Sequence, residues 1–131
     1  MSKFIASAGA IILWALAWAA ATTPAQAAAT DWVAGDHVRA RLIAATDGVG
    51  VDGVLTLGIQ MRLEEGWETY WRSPGDSGFP PKFDWSGALN LDEISVAWPA
   101  PRRFTILGMN TFGYSGNLVL PVIATVLNPS Q

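Results

Sequence analysis

GVLTLGIQMRL, Gly53 to Leu63, alternates without a break. Leu55, Leu57, Ile59, Met61 and Leu63 fall on one side, and Val54, Thr56, Gly58, Gln60 and Arg62 on the other. Period two over eleven residues predicts a half-buried strand, because successive side chains of a strand point to opposite faces. Upstream, His37 to Thr46 repeats the pattern, with Val38, Ala40, Leu42 and Ala44 set against Arg39 and Arg41. Gly48, Gly50 and Gly53 lie between the two runs and predict a hairpin with a longer loop.

Downstream, Glu64-Glu65-Gly66 interrupts the alternation as a bulge or tight turn would, and Trp67 to Arg72 resumes it. Trp67, Thr69 and Trp71 share one face of that strand; Glu68, Tyr70 and Arg72 share the other. Leu91 to Trp98 places Ile94, Val96 and Trp98 together. Tyr114 to Asn117 reads as a turn into a last strand, Asn117 to Leu127. Pro121 predicts an edge position or a bulge there, since proline cannot donate to a ladder. With no strand after it, this segment is expected to expose an unpaired edge that invites association. Short strands with frequent turns and no sustained helical period predict an all-β fold, an immunoglobulin-like antiparallel β-sandwich. The apolar final strand suggests that the domain is incomplete at its C-terminal end.

Residues 1–29 read as a secretory signal peptide: Lys3, the apolar run Ile5 to Ala21, and Ala25-Gln26-Ala27 as a small-x-small site with cleavage after Ala27. The domain is then residues 30–131, periplasmic, with no transmembrane span after cleavage. Without Lys3 the chain carries seven basic and eleven acidic residues, a net charge of −4, and no basic run. Nucleic acid is not an expected partner, because phosphate neutralisation needs clustered Lys and Arg. The sequence contains no cysteine, so it offers neither a disulfide nor a thiol.

Several short motifs invite a chemical reading. Gly75-Asp76-Ser77-Gly78 matches the run around a serine-protease nucleophile, with His37 and Asp47 or Asp52 as conceivable partners. About a hundred residues do not hold two barrels and an oxyanion hole, so a Pro-Gly-Asp-Ser-Gly turn is the better reading, with Asp76 bonding its own backbone. Glu64, Glu65, Glu68, Asp76 and Asp84 lack any spacing that would fix a glycosidase pair. A single His, His37, and scattered acids give no metal-ligand spacing. No catalytic residue, metal or cofactor is expected. Five tryptophans after the leader, Trp32, Trp67, Trp71, Trp85 and Trp98, are expected mainly in the core, where each buries ~150–250 Å².

The stretch GWETYWRSPGDSGFPPKFDWSGALNL, followed by VAWPAPRRF and GMNTFGYSGNLVLPV, resembles the N-terminal periplasmic domain of DsbD/ScsB-type protein-disulfide reductases. The resemblance runs from about residue 32 to 125. It rests on Gly66-Trp67-x-Thr69-Tyr70-Trp71-Arg72, Pro74-Gly75-Asp76, Pro80-Pro81, Trp85, Trp98-Pro99-x-Pro101, Tyr114 and Leu120-Pro121. It implies a β-sandwich outside the inner membrane, preceding a membrane-embedded electron-transfer domain and a thioredoxin-like domain. The implied partners are periplasmic thiol-disulfide proteins or the membrane part of a reductase. The family's redox-active cysteine pair lies further along than this chain reaches, so the resemblance implies an interaction or scaffold part and not a catalyst. The alternative is a stand-alone carbohydrate- or peptide-binding sandwich that meets its ligand through Tyr70, Trp71 and Arg72.

Overall fold

The computed structural model describes residues 28–129; most of the expected leader, residues 1–27, lies outside them. Among the described residues every regular element is a strand: β1 (Val33–Gly35), β2 (Val38–Ala44), β3 (Val54–Leu63), β4 (Glu68–Gly75), β5 (Leu91–Val96), β6 (Arg102–Ile106), β7 (Met109–Ser115) and β8 (Asn117–Val126). Among the described residues no helix is long and apolar enough to cross a membrane. The strands form a five-stranded sheet, β1-β2-β3-β8-β5, and a three-stranded sheet, β4-β7-β6, with every pairing antiparallel. This is the all-β, immunoglobulin-like sandwich that the alternation predicts.

β3 and β8 form the spine of the larger sheet. Ile59 faces Leu120, Leu57 faces Val122, and Met61 faces Leu118. These inward positions are the core: Leu120 and Val122 are 0 % exposed, and Ile59, Met61, Leu118 and Tyr114 close around them. The intervening residues of β8 all point outward. One strand thereby separates core from surface residue by residue, as the two-residue period requires.

The structure corrects two expectations about β8. It is not an unpaired edge, because β3 and β5 flank it on both sides. Pro121 is not on an edge strand either. Towards β3 it faces Gly58; towards β5 its carbonyl accepts from Ala97 N at 2.8 Å. Amide and carbonyl of one strand residue point the same way, so the donor that proline lacks would have been aimed at Ala97. That residue lies just past the end of β5 at Val96, and the ladder loses only its last bond.

β6 and β7 form a hairpin absent from the sequence reading, and Tyr114 and Ser115 belong to β7 and not to a turn. Tyr114 is buried, and its hydroxyl donates to the Pro99 carbonyl at 2.8 Å. Burial raises its pKa, and the Arg72 charge opposes part of the shift. A phenol whose pKa is raised by folding contributes stability that is complete below the unfolded value and lost as pH rises through the folded one. Tyr114→Phe should therefore cost about 1 kcal/mol at neutral pH. Its stability should also fall less steeply than that of the parent above about pH 10. Urea titrations at neutral and alkaline pH measure both; parallel pH profiles would contradict the assignment.

Candidate functional site

The aromatic-rich segment becomes strand β4 and the long connection to β5. Glu64–Gly66 is a turn that carries the chain from one sheet to the other, with Gly66 at φ 83° and Trp67 N donating to Glu64 O. Pro74 sits where the β4–β7 register shifts, a bulge position that needs no ladder donor. Gly75 (φ 93°) and Gly78 (φ 99°) then turn the chain in the left-handed region that favours glycine.

The GDSG run is a clamp. Asp76 N donates to Asn110 O at 2.9 Å, and Asn110 N donates to Asp76 Oδ2 at 2.8 Å. The side chain that was expected to bond its own backbone instead ties the loop to β7. No hydrogen bond among the described residues joins Ser77 to His37. His37 is occupied elsewhere: its Nδ1 lies 2.8 Å from Glu64 Oε2, and its ring stacks on Trp67 at 3.7 Å and 7°. Asp52 Oδ1 accepts from Val54 N within its own turn. Further on, Asp84 Oδ1 accepts from Ser86 N, which lowers the Asp84 pKa. That turn seats Trp85, whose ring lies 6.2 Å from Phe83; Phe83 in turn lies 6.1 Å from Trp98. All three pack on the core.

Tyr70, Trp71 and Arg72 do not form one open surface. Trp71 packs against the core, and its Nε1 is buried without a hydrogen-bond partner among the described residues. Tyr70 is half-buried and not solvent-facing, because the loop crosses it so closely that a Cβ on Gly78 would strike its ring. Arg72 is exposed, with its guanidinium 5.1 Å from the centroid of the Trp71 ring. Trp67 shares the inward parity of Trp71 but remains 48 % exposed, held by His37 at the rim.

Where the loop meets the larger sheet, an open groove of about 620 Å³ runs between them. Ala40, Leu42, Ile59 and Met61 form one wall, and Phe83 and Trp85 the other; Asp31, Arg41, Lys82 and Asp84 stand around it. An apolar trough with charges at the rim suits an extended peptide or an apolar side chain better than a charged small molecule. Sequence reasoning missed it, because its walls come from segments roughly twenty to forty-five residues apart along the chain.

The family described as "Thiol:disulfide interchange protein DsbD, N-terminal" matches residues 24–131. The chain belongs to the DsbD N-terminal domain family. Among solved structures, the N-terminal periplasmic domain of ScsB from Proteus mirabilis is similar, with a TM-score of 0.66 and 29 % identity. That match covers 79 % of this chain and 41 % of the ScsB chain, so this DsbD-type domain spans less than half the length of its structural relative. No curated protein gives a significant match. The residues that carry the family resemblance have structural employment in this DsbD-type domain: positive φ at Gly66 and Gly75, the bulge at Pro74, the Asp76 clamp, and core packing by Trp71, Trp85 and Trp98.

Proposed function

We propose that this DsbD-type domain is a non-catalytic interaction and scaffold module of periplasmic thiol-disulfide exchange. It engages a thiol-disulfide protein or the membrane part of a reductase without itself carrying electrons. The observation behind this reading is the absence of cysteine from the sequence in a domain of this family. Disulfide exchange proceeds by attack of a thiolate on a sulfur and passes through a mixed disulfide. A chain without sulfhydryls can form neither.

Placement in the periplasm draws support from the leader-like residues 1–27 and from the first residues that follow them. Ala28 O accepts from Ala44 N at 2.7 Å, and Ala29 bridges Ile43. Residues that follow the expected cleavage site after Ala27 thus join the larger sheet. The groove beside Phe83 and Trp85 and the exposed Arg72 are the contact surfaces that this reading offers to a partner.

The test is an insulin-reduction assay with the purified domain, alone and with a reduced thioredoxin-like protein. The domain alone should give no turbidity above the blank. Any complex with the thioredoxin-like protein should separate fully on non-reducing denaturing gels. Reduction of insulin by the domain alone, with no other reductant, would overturn the proposal.

A further inference from the structure

The outer face of the five-stranded sheet is chemically lopsided. Arg39 and Arg62 face each other directly across β2 and β3, and Arg41 faces Gln60 in the next row. Two like charges in direct opposition disfavour the pairing. No outer-face position of β1, β2, β3 or β8 carries a carboxylate; the nearest acids on this side lie off the patch, Asp92 and Glu93 on β5 at the far edge and Asp36, Glu64 and Glu65 in the turns beyond the arginine rows. Among the described residues the single ion pair is His37–Glu64. Three of the eight basic side chains therefore share one patch, and none of the three makes an ion pair among the described residues.

Trp32 gathers two of them, Arg41 and Arg62. The guanidinium carbons of Arg41 and Arg62 lie 4.5 and 4.6 Å from its ring centroid. Stacking uses the faces of the guanidinium planes. Their edges carry five N–H donors each, of which the Arg41 Nε–H is given to Gln60 Oε1 at 2.7 Å. The remaining donors suit planar, bidentate carboxylates. Further along the same strands the face turns apolar. A Cβ on Gly58 would lie 3.0 Å from both Ile43 and Val119, so these side chains close over it. Val119 and Ile123 remain 41 % and 49 % exposed.

We propose that this face docks an extended acidic segment of a partner protein. Its carboxylates meet Arg39, Arg41 and Arg62, and its apolar side chains lie on Ile43, Val119 and Ile123. Same-face positions on a strand recur every ~7 Å, so the segment alternates, with acids in one half and apolar residues in the other. An anionic bilayer fits less well. The turns just beyond the arginine rows carry exposed Asp36, Glu64 and Glu65, which would be pressed against the same headgroups. The inference stands apart from the thiol-free reading, since it needs no redox partner and its surface shares only Arg41 with the groove.

The probe is a fluorescein-labelled peptide of the pattern Glu-Ser-Glu-Ser-Val-Ser-Val-Ser, titrated with the domain by anisotropy at low and high salt. Binding should weaken with salt. The double substitution Arg39→Glu/Arg62→Glu should weaken it by at least about tenfold, whereas Arg102→Glu/Arg103→Glu on the other sheet should leave it unchanged. Both variants should keep the parental melting transition, with Arg39→Gln as a milder check. Four results would overturn the proposal: no binding, equal binding of a Lys-for-Glu peptide, tighter capture by phosphatidylserine-rich vesicles than by the peptide, or self-association abolished by the same Arg39→Glu/Arg62→Glu change.

Discussion

Leu120→Ala should destabilise the domain by about 3 kcal/mol, the middle of the range for leucine truncation in a core. Leu120 has no exposure, and it lies on β8 between Ile59 on β3 and the residues that the smaller sheet brings down on it. Its removal takes away buried methyl groups and leaves a space beside β3 that the packed sandwich can close only in part. A domain of this size has about 5–15 kcal/mol in total, so the loss is a large fraction of the whole. It should lower the melting temperature by on the order of 15 °C. Its neighbour supplies the contrast. Val119 points to the other face, 41 % exposed, and Val119→Ala should cost less than about 1 kcal/mol. Urea denaturation of the pair measures both. Equal losses would mean that the two faces of β8 have been assigned wrongly.

Gly113→Ala should be nearly as damaging, for a different reason. Gly113 is buried in β7, the middle strand of the smaller sheet, opposite Tyr70 on β4 and Arg102 on β6. A methyl group there would run into the carbonyl oxygen of Thr69. That atom is backbone and cannot rotate aside, so β4 must move and take the seating of Trp71 with it. The cost should be about 3 kcal/mol, the upper end for overpacking. Near-ultraviolet circular dichroism should weaken as the aromatic packing loosens. Gly48→Ala, which meets nothing within 4 Å, should be close to neutral. A Gly113→Ala protein with the parental melting temperature and aromatic signal would show that β4 is not held as described.

The legible part of the fold was the part written in period two. β2, β3 and β8 alternate over seven to ten residues each, long enough to outweigh local noise. β6 was illegible because it is only five residues long, and β7, as long as β2, because Asn110, Gly113 and Ser115 are residue types that favour turns. Their strand character comes from pairing with each other and with β4, which is a tertiary effect. Pro121 misled for a related reason: its tolerance depends on where β5 happens to end, and no local signal records that. At the candidate sites, sequence parity correctly grouped Trp67, Thr69 and Trp71. It did not foresee the loop laid over Tyr70 at Gly78. The arginine rows were visible only as isolated charges, because Trp32, Arg41 and Arg62 come together through strand register and not through spacing along the chain.

The position of β8 has a consequence for biogenesis. The strand that completes the hydrophobic centre is the eighth in chain order, and its principal neighbour, β3, begins some sixty residues earlier. While a ribosome is still producing residues 91–116, the apolar sides of β2 and β3 lack β8 and have only segments such as Phe83–Trp85 to cover them. Such long-range pairing is slow to form, and an uncovered intermediate is prone to aggregate. Folding of this domain is therefore expected to finish only once residue 126 has emerged, near the end of translation or translocation.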